Sequence, residues 1–102
     1  MILHCVFCQF RAEADQQMRD GVMGELDAFA SGLEGVISFD FGPNRDFEGK
    51  SVGFTDGFVI RFANRSALDT YAEHPTHKAL GARLCALCVG GTDGIMVFDL
   101  TV

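Results

Sequence analysis

The stretch "FTDGFVIRF", Phe54 to Phe62, has the alternating pattern of a strand with large apolar groups on both faces. Because successive side chains of a strand point to opposite faces, Val59 lies opposite the rest of the apolar set. That set is Phe54, Phe58, Ile60 and Phe62. The first and last predicted strands are also apolar on both faces. A layer of helices covers only one face of a sheet, so this pattern predicts a further layer on the other.

The segments before this strand predict a strand, a helix and a second strand. "LHCVFCQF", Leu3 to Phe10, alternates as a strand does. From Asp15 apolar residues recur every three to four positions, which predicts an amphipathic helix ending near Gly32 or Gly35. "VISFDF" is a second strand, and "GPNRDFEGKSVG" is rich in turn-forming residues and predicts a loop.

The segments after it predict two helical pieces and a closing strand. Asn64 is a suitable N-cap, a second helical piece stops at Gly90-Gly91, and "GIMVFDLTV" is the last strand. The order βαββαβ predicts an α+β ferredoxin-like fold, a four-stranded antiparallel sheet with its helices on one face. A second copy is the simplest cover for the other face, so we expect a homodimer of the dimeric α+β barrel type.

Size and charge restrict the function. The 102 residues, 48% of them apolar, suit one domain spanning residues 1–102, with a core that needs no metal or disulfide. A net charge of -6 with scattered basic residues argues against nucleic acid and anionic membranes as partners. No apolar run reaches the roughly 20 residues needed to span a bilayer, and "MILHCVF" lacks a basic leader. We therefore expect a cytoplasmic protein with reduced thiols.

The four cysteines form two CxxC pairs, "CVFC" (Cys5 and Cys8) and "CALC" (Cys85 and Cys88). A zinc site needs four converging ligands, but residues three apart on a strand point to opposite faces. A thioredoxin-like motif needs its first cysteine at an exposed helix start. We interpret the cysteines as small apolar residues and predict no metal site and no cofactor.

The chemistry-bearing residues gather in "YAEHPTHKAL", Tyr71 to Leu80. Six residues apart on an unbroken helix, Tyr71 and His77 would diverge by about 120°. Pro75 removes a backbone donor and disfavours helical geometry at His74, so we expect the helix to break there. Two helical pieces can turn both side chains towards one hollow against the sheet.

In that hollow His77 is the candidate general base and Tyr71 the candidate donor to a developing oxyanion. The helix dipole and partial burial would both lower the pKa of His77 and keep it neutral. His4, Asp56 and His74 are candidate substrate-binding residues. The alternatives are that Tyr71 and His77 are ordinary core residues, that His74 caps a helix, and that Asp56 accepts a hydrogen bond from His4 or a backbone amide.

Five segments resemble the stress-responsive A/B barrel (Dabb) family: "LHCVFCQF", "GPNRDFEG", "GFTDGFVIRF", "LDTYAEHPTHKAL" and "VFDLTV". The most specific is Tyr-x-x-His-Pro-x-His, from Tyr71 to His77. The resemblance implies a ferredoxin-like protomer and a homodimer whose sheets form a barrel. One family member is a plant polyketide cyclase that catalyses an intramolecular aldol condensation without a cofactor. By motif match, His77 takes the place of its base, Tyr71 that of its carbonyl-polarising hydroxyl, and His4 lines the pocket.

The resemblance is imperfect at Asp56, where family members often carry a histidine. A carboxylate there changes the charge of the pocket, and we expect it to orient a histidine instead. The leading hypothesis is a homodimer that binds a small, partly apolar ligand, with cofactor-free aldol cyclisation or isomerisation at Tyr71 and His77. The rivals are a non-catalytic stress or structural protein and haem or quinone chemistry, for which the sequence offers no support.

Overall fold

The computed structural model describes residues 1–102 as four strands, three helices and one short 3₁₀ turn. The strands are β1 (Ile2–Cys8), β2 (Val36–Pro43), β3 (Asp56–Phe62) and β4 (Ile95–Thr101). The helices are α1 (Gln16–Ser31), α2 (Arg65–Glu73) and α3 (Pro75–Ala86), and the 3₁₀ turn is Gly91–Gly94. The predicted element order is confirmed.

The helix ends follow from local capping. Asp15 accepts a hydrogen bond from the amide of Met18 at 2.8 Å, and Asn64 accepts one from Ala67 at 2.9 Å, so both are side-chain N-caps. His74 leaves helical geometry, with φ −66° and ψ 135°, and Pro75 starts α3. The predicted break at Pro75 is confirmed, because the residue before a proline is held in extended geometry.

The sheet is antiparallel throughout, with strand order β2-β3-β1-β4. Its helix-facing side and the apolar stripes of the three helices form the core. Members of the core with no more than 2% exposure include Cys8, Val22, Met23, Leu26, Ala30, Ile60, Phe62, Tyr71 and Cys88. The register sets His4 on β1 between Ile60 on β3 and Asp99 on β4, so β1 and the β4 edge carry polar groups on the helix-facing side of the sheet.

The second face of the sheet is uncovered within one chain. Phe98 is 48% exposed and Leu100 51% exposed on β4. This face also borders a cavity of about 660 Å³, whose apolar lining includes Phe7, Phe41, Val52, Phe54, Val59, Met96 and Phe98. The expectation that Phe54 belongs to the third strand is wrong, because that strand begins at Asp56 and the amide of Phe54 bonds the carbonyl of Ser51 in the preceding turn.

Candidate functional site

Tyr71 lies at the centre of a buried aromatic group. It is only 1% exposed, and its hydroxyl is buried without any hydrogen-bond partner. Its ring centroid lies 4.4 Å from that of His77, 5.4 Å from Phe62 and 6.0 Å from His4. We call His4, Tyr71 and His77 the Tyr–His cluster. Burial raises the pKa of Tyr71, so the phenol stays protonated and can only act as a neutral hydrogen-bond donor or acceptor.

His77 occupies the first turn of α3, half-buried against Tyr71. Its Nδ1 lies 3.0 Å from the carbonyl oxygen of Ala72. Because a carbonyl oxygen only accepts, Nδ1 must carry the proton, and the neutral ring then holds its free lone pair on Nε2. Burial lowers the pKa of His77, although the bond to Ala72 opposes the shift. A neutral imidazole with one oriented N–H is suited to act as a base.

His4 is the third member of the cluster and has a carboxylate partner. Its Nδ1 donates to Oδ1 of Asp99 across the β1–β4 pair at 2.6 Å. The His4 side chain is 15% exposed, whereas that of Asp99 is 48% exposed. The ring of His4 stands edge-on to Tyr71 and Phe62. The carboxylate therefore fixes the orientation of the imidazole at the sheet wall of the cluster.

Asp99 is the residue that the sequence reasoning missed. It is the single carboxylate in the apolar strand "VFDLTV", and this isolated acidic residue was the signal available in the sequence. Two further facts were needed to use it: β4 pairs with β1, and the register sets Asp99 opposite His4.

The expectation that Asp56 orients a histidine is wrong. Asp56 lies at the other end of β3, opposite Cys8, and its Oδ1 accepts from the guanidinium of Arg19 at 3.1 Å. Ile60, not Asp56, stands beside His4, and four residues of strand separate the two positions by about 13 Å. Asp56 is thus buried in an ion pair outside the Tyr–His cluster.

His74 is the N-cap of α3, as the capping alternative predicted. Its Nδ1 accepts a hydrogen bond from the amide of Thr76 at 3.1 Å, which caps α3. Its ring packs edge-on against Phe29, with the centroids 4.8 Å apart. The structure therefore brings together His4, Tyr71 and His77, and gives His74 a separate position at the helix junction.

The cluster offers a phenol that donates, a neutral imidazole that accepts a proton and an imidazole–carboxylate pair, surrounded by aromatic rings. No three His, Cys, Asp or Glu side chains come together as metal ligands. No helix is long and apolar enough to cross a membrane. The chain is therefore a ferredoxin-like α+β protein with the Tyr–His cluster between its sheet and its helices.

The chain belongs to the family of the stress responsive A/B barrel domain, whose model matches residues 2–102. It is similar to a dimeric ferredoxin-like protein of unknown function from Jannaschia sp. CCS1, with 42% identity and a TM-score of 0.92 over 99% of this chain and 98% of that one. None of the curated proteins matches the chain.

Two more distant structures share the fold. One is a hydroxynitrile lyase from Passiflora edulis, with 14% identity and a TM-score of 0.83 over 99% of this chain and 92% of the lyase. The other is SnoaB, a cofactor-independent oxygenase from Streptomyces nogalater, with 12% identity and a TM-score of 0.79 over 99% and 91% of the two chains. At these identities the likeness concerns the fold alone.

Proposed function

We propose that this protein binds a small, partly apolar carbonyl compound at the Tyr–His cluster and catalyses a cofactor-free proton transfer of the aldol type. The observation that supports this function is the hydroxyl of Tyr71, which is buried without a partner beside the ring of His77. A buried hydroxyl without a partner costs about 1–3 kcal/mol, so the position is explained if a ligand oxygen completes it.

The proton path follows from the two rings. Nε2 of His77 accepts a proton from the carbon next to the carbonyl, while Nδ1 stays bonded to Ala72. The hydroxyl of Tyr71 donates to the carbonyl oxygen, where negative charge develops as the enolate forms. The enolate carbon then attacks a second carbonyl carbon, and the proton held by His77 returns to the new alkoxide.

The environment suits this division of roles. Phe62 and Phe29 flank Tyr71 and exclude water from the developing charge. The raised pKa of Tyr71 keeps its proton available for donation, and the lowered pKa of His77 keeps its ring neutral. The pair His4–Asp99 adds an oriented imidazole on the sheet side of the cluster.

A homodimer formed through the open sheet face is part of the proposal. Three large apolar side chains of β4 are about half exposed on that face, and these are Met96, Phe98 and Leu100. The protein from Jannaschia sp. CCS1, which is 42% identical, is described as dimeric. Two sheets packed face to face would enclose the 660 Å³ cavity between protomers.

The non-catalytic alternative also has an observation in its favour. Tyr71 is 1% exposed, and the 660 Å³ cavity lies on the other face of the sheet and is lined by no residue of the cluster. In that case the cluster contributes packing only, and the protein acts as a stress or structural component.

The test is proton exchange at carbon. Acetophenone, a small apolar methyl ketone, is incubated with the protein in D₂O, and deuterium incorporation at the methyl group is followed by NMR. We expect incorporation above the buffer rate with the wild type, and loss of that excess in His77→Ala and Tyr71→Phe. Thr70→Ala, which removes a surface hydroxyl bonded to Ser66 on the same helix, is the matched control and should exchange like the wild type.

A thermal-shift screen of small ketones and phenols widens the search for the ligand. Binding to the folded state raises the unfolding temperature, and the shift should disappear in His77→Ala. If no compound stabilises the wild type and no carbon acid exchanges, the non-catalytic alternative replaces this proposal.

A further inference from the structure

The cavity of about 660 Å³ lies on the sheet face away from the helices, and no residue of the Tyr–His cluster lines it. Its volume falls within the range of roughly 300–1,000 Å³ that small-molecule sites occupy. The strands β1, β3 and β4 supply apolar walls through Phe7, Val59 and Phe98, and the loop between β2 and β3 supplies the rim. The proposed proton transfer, on the other face of the sheet, uses none of these residues.

Two paired glycines shape the floor of this cavity. Gly42 on β2 lies directly opposite Gly57 on β3, and Phe7 on β1 lies on the other side of Gly57. Neither glycine takes a left-handed conformation, so backbone freedom does not explain them. A Cβ on Gly57 would lie 2.8 Å from the ring of Phe7, whereas a Cβ on Gly42 would meet open space. Glycine thus lets the Phe7 ring lie down on the sheet and leaves bare backbone beside it, where a flat ligand can approach closely.

The loop between β2 and β3 is held in one conformation by its own side chains. The side-chain amide of Asn44 donates to Oγ of Ser51 at 2.7 Å and to the carbonyl of Phe54 at 2.9 Å. Oδ1 of Asp46 accepts from the amides of Lys50 and Ser51, at 2.9 and 3.2 Å. These bonds fix the backbone of the rim, so the cavity is preformed, as ligand sites usually are.

The lining carries one cation and one carboxylate, at different places. Lys50 belongs to the loop rim, whereas Asp40 lies on β2 opposite Val59, two residues before Gly42. The four ion pairs of the chain involve neither Lys50 nor Asp40. The ammonium of Lys50 is therefore available to a ligand. An anionic group fits at the loop end of the cavity and is disfavoured at the Asp40 end, which gives a bound ligand one orientation.

We propose that this cavity is a second ligand site, which binds a planar aromatic anion. The rings of the ligand lie on the bare backbone at Gly42 beside Phe7, and Phe54 and Phe98 close the sides of the cavity. The anionic group accepts a hydrogen bond from the ammonium of Lys50 at the rim. The site lies on the face that the proposed homodimer covers, so in that dimer the partner's sheet encloses the ligand.

The experiment follows the methyl groups of the four methionines by NMR while naphthalene-2-sulfonate is titrated into the folded, full-length protein. Met96 lines the cavity next to Phe7, whereas Met18 and Met23 lie on α1, on the other side of the sheet. An aromatic ring near a methyl group shifts its resonance. We expect a saturable shift of Met96 that Met18 and Met23 do not share, and calorimetry should give one molecule bound per chain. Met96→Leu assigns the resonance.

Two substitutions test the floor and the rim separately. Gly42→Phe covers the open floor with a side chain that suits a strand, and the Met96 shift should be lost. Gly21→Ala on the exposed side of α1, where a Cβ also meets open space, is the control and should bind like the wild type. Lys50→Gln should weaken binding of the sulfonate about two- to fivefold and leave binding of the neutral naphthalene-2-sulfonamide unchanged. Arg45→Gln removes the same charge from the same loop outside the cavity lining and should change neither.

Three results overturn the proposal. One is a Met96 resonance that does not shift at millimolar naphthalene-2-sulfonate, and light scattering then shows whether a second copy occupies the face instead. Another is a shift that does not saturate or that Gly42→Phe retains, which marks adsorption to the exposed sheet. The third is loss of binding in His77→Ala, which places the probe at the Tyr–His cluster. Circular dichroism confirms that each variant is folded, and the smaller Gly42→Val repeats the test if Gly42→Phe is not. None of these readouts depends on the proton-transfer reaction.

Discussion

Asp56 and Tyr71 are buried polar residues of the same core layer, and they differ in how their polar atoms are satisfied. Asp56, 4% exposed, accepts a hydrogen bond from Arg19 at 3.1 Å. Tyr71, 1% exposed, has a hydroxyl with neither donor nor acceptor. Buried polar groups in proteins are almost always hydrogen-bonded, so the first residue follows the rule and the second departs from it.

The two ends of the sheet therefore differ in how their buried polar groups are satisfied. At the Asp56 end the polar groups satisfy one another: Arg19 also donates to the carbonyls of Ala14 and Arg11, at 2.7 and 3.3 Å. At the Tyr71 end the fold tolerates an unsatisfied hydroxyl and a neutral imidazole beside it. A buried group that lowers the stability of the fold, as an unsatisfied hydroxyl does, is expected where a ligand binds.

The largest expected effect on stability comes from removing the ion pair between Arg19 and Asp56. Arg19→Leu leaves the buried carboxylate of Asp56 without its counter-ion, and removing one member of a buried pair costs about 3–5 kcal/mol. We expect urea unfolding to show a loss of this order. Arg65→Leu is the control, because Arg65 forms an exposed pair with Asp69 one helical turn away, and its removal should not measurably change stability. Equal losses in the two variants would show that Asp56 does not depend on Arg19.

At the Tyr71 end of the sheet we expect a substitution to increase stability rather than to decrease it. Tyr71→Phe removes a hydroxyl that has no partner and keeps the ring that packs on Phe62, so the variant should gain about 1 kcal/mol of stability. For a domain of this size that raises the unfolding temperature by about 4–8 °C in a thermal melt. Ligand binding and proton exchange should be lost in the same variant. A destabilised Tyr71→Phe protein would mean that the hydroxyl has a partner in solution.

The pH dependence of stability sharpens the comparison at His77. Burial lowers the pKa of His77 in the folded state below the value of about 6.5 that it has when unfolded. The unfolded chain therefore binds more protons between the two pKa values, and stability rises with pH across that window. The stabilisation from the neutral ring is complete above about pH 6.5 and is lost as the pH falls towards the folded pKa.

The measurement is a series of unfolding curves between about pH 4.5 and 8, where an ordinary histidine has titrated completely. His77→Gln should lose the part of the pH dependence that lies just below 6.5. If exchange at carbon requires neutral His77, its rate should reach half of its maximum below pH 6.5. A midpoint above this value would indicate a raised pKa and would contradict the base assigned here.

Local constraints could be predicted from the sequence, whereas long-range pairing could not. Pro75 acts on its own backbone and on His74, so the helix break could be predicted from one residue. The caps at Asp15 and Asn64 act over three residues and were equally predictable. Because the break determines where Tyr71 and His77 point, two members of the cluster could be placed without coordinates.

The carboxylates were different, because their partners depend on register and on how the helices lie on the sheet. Asp56 and Arg19 are 37 residues apart, and Asp99 is 95 residues from His4. Pattern alone shows that a carboxylate is buried or lies on a given face, but not which of several cations faces it. A histidine partner was therefore expected for Asp56, whereas the strand register sets Asp99 opposite His4 across the β1–β4 pair.

The smallest expected effect on stability is at Asp99, and it distinguishes the role of Asp99 from that of Asp56. Asp99→Asn keeps an acceptor for the Nδ1–H of His4 but removes the charge, and the side chain of Asp99 is 48% exposed. A half-exposed pair of this kind contributes about 0.2–1 kcal/mol, so stability should change far less than in Arg19→Leu. Because the amide still orients His4, we expect ligand affinity to fall only partly in a thermal-shift titration, and Asp99→Ala, which removes the acceptor, should reduce it further. Equal affinity in all three proteins would place His4 outside the ligand site and leave Tyr71 and His77 as its only polar groups.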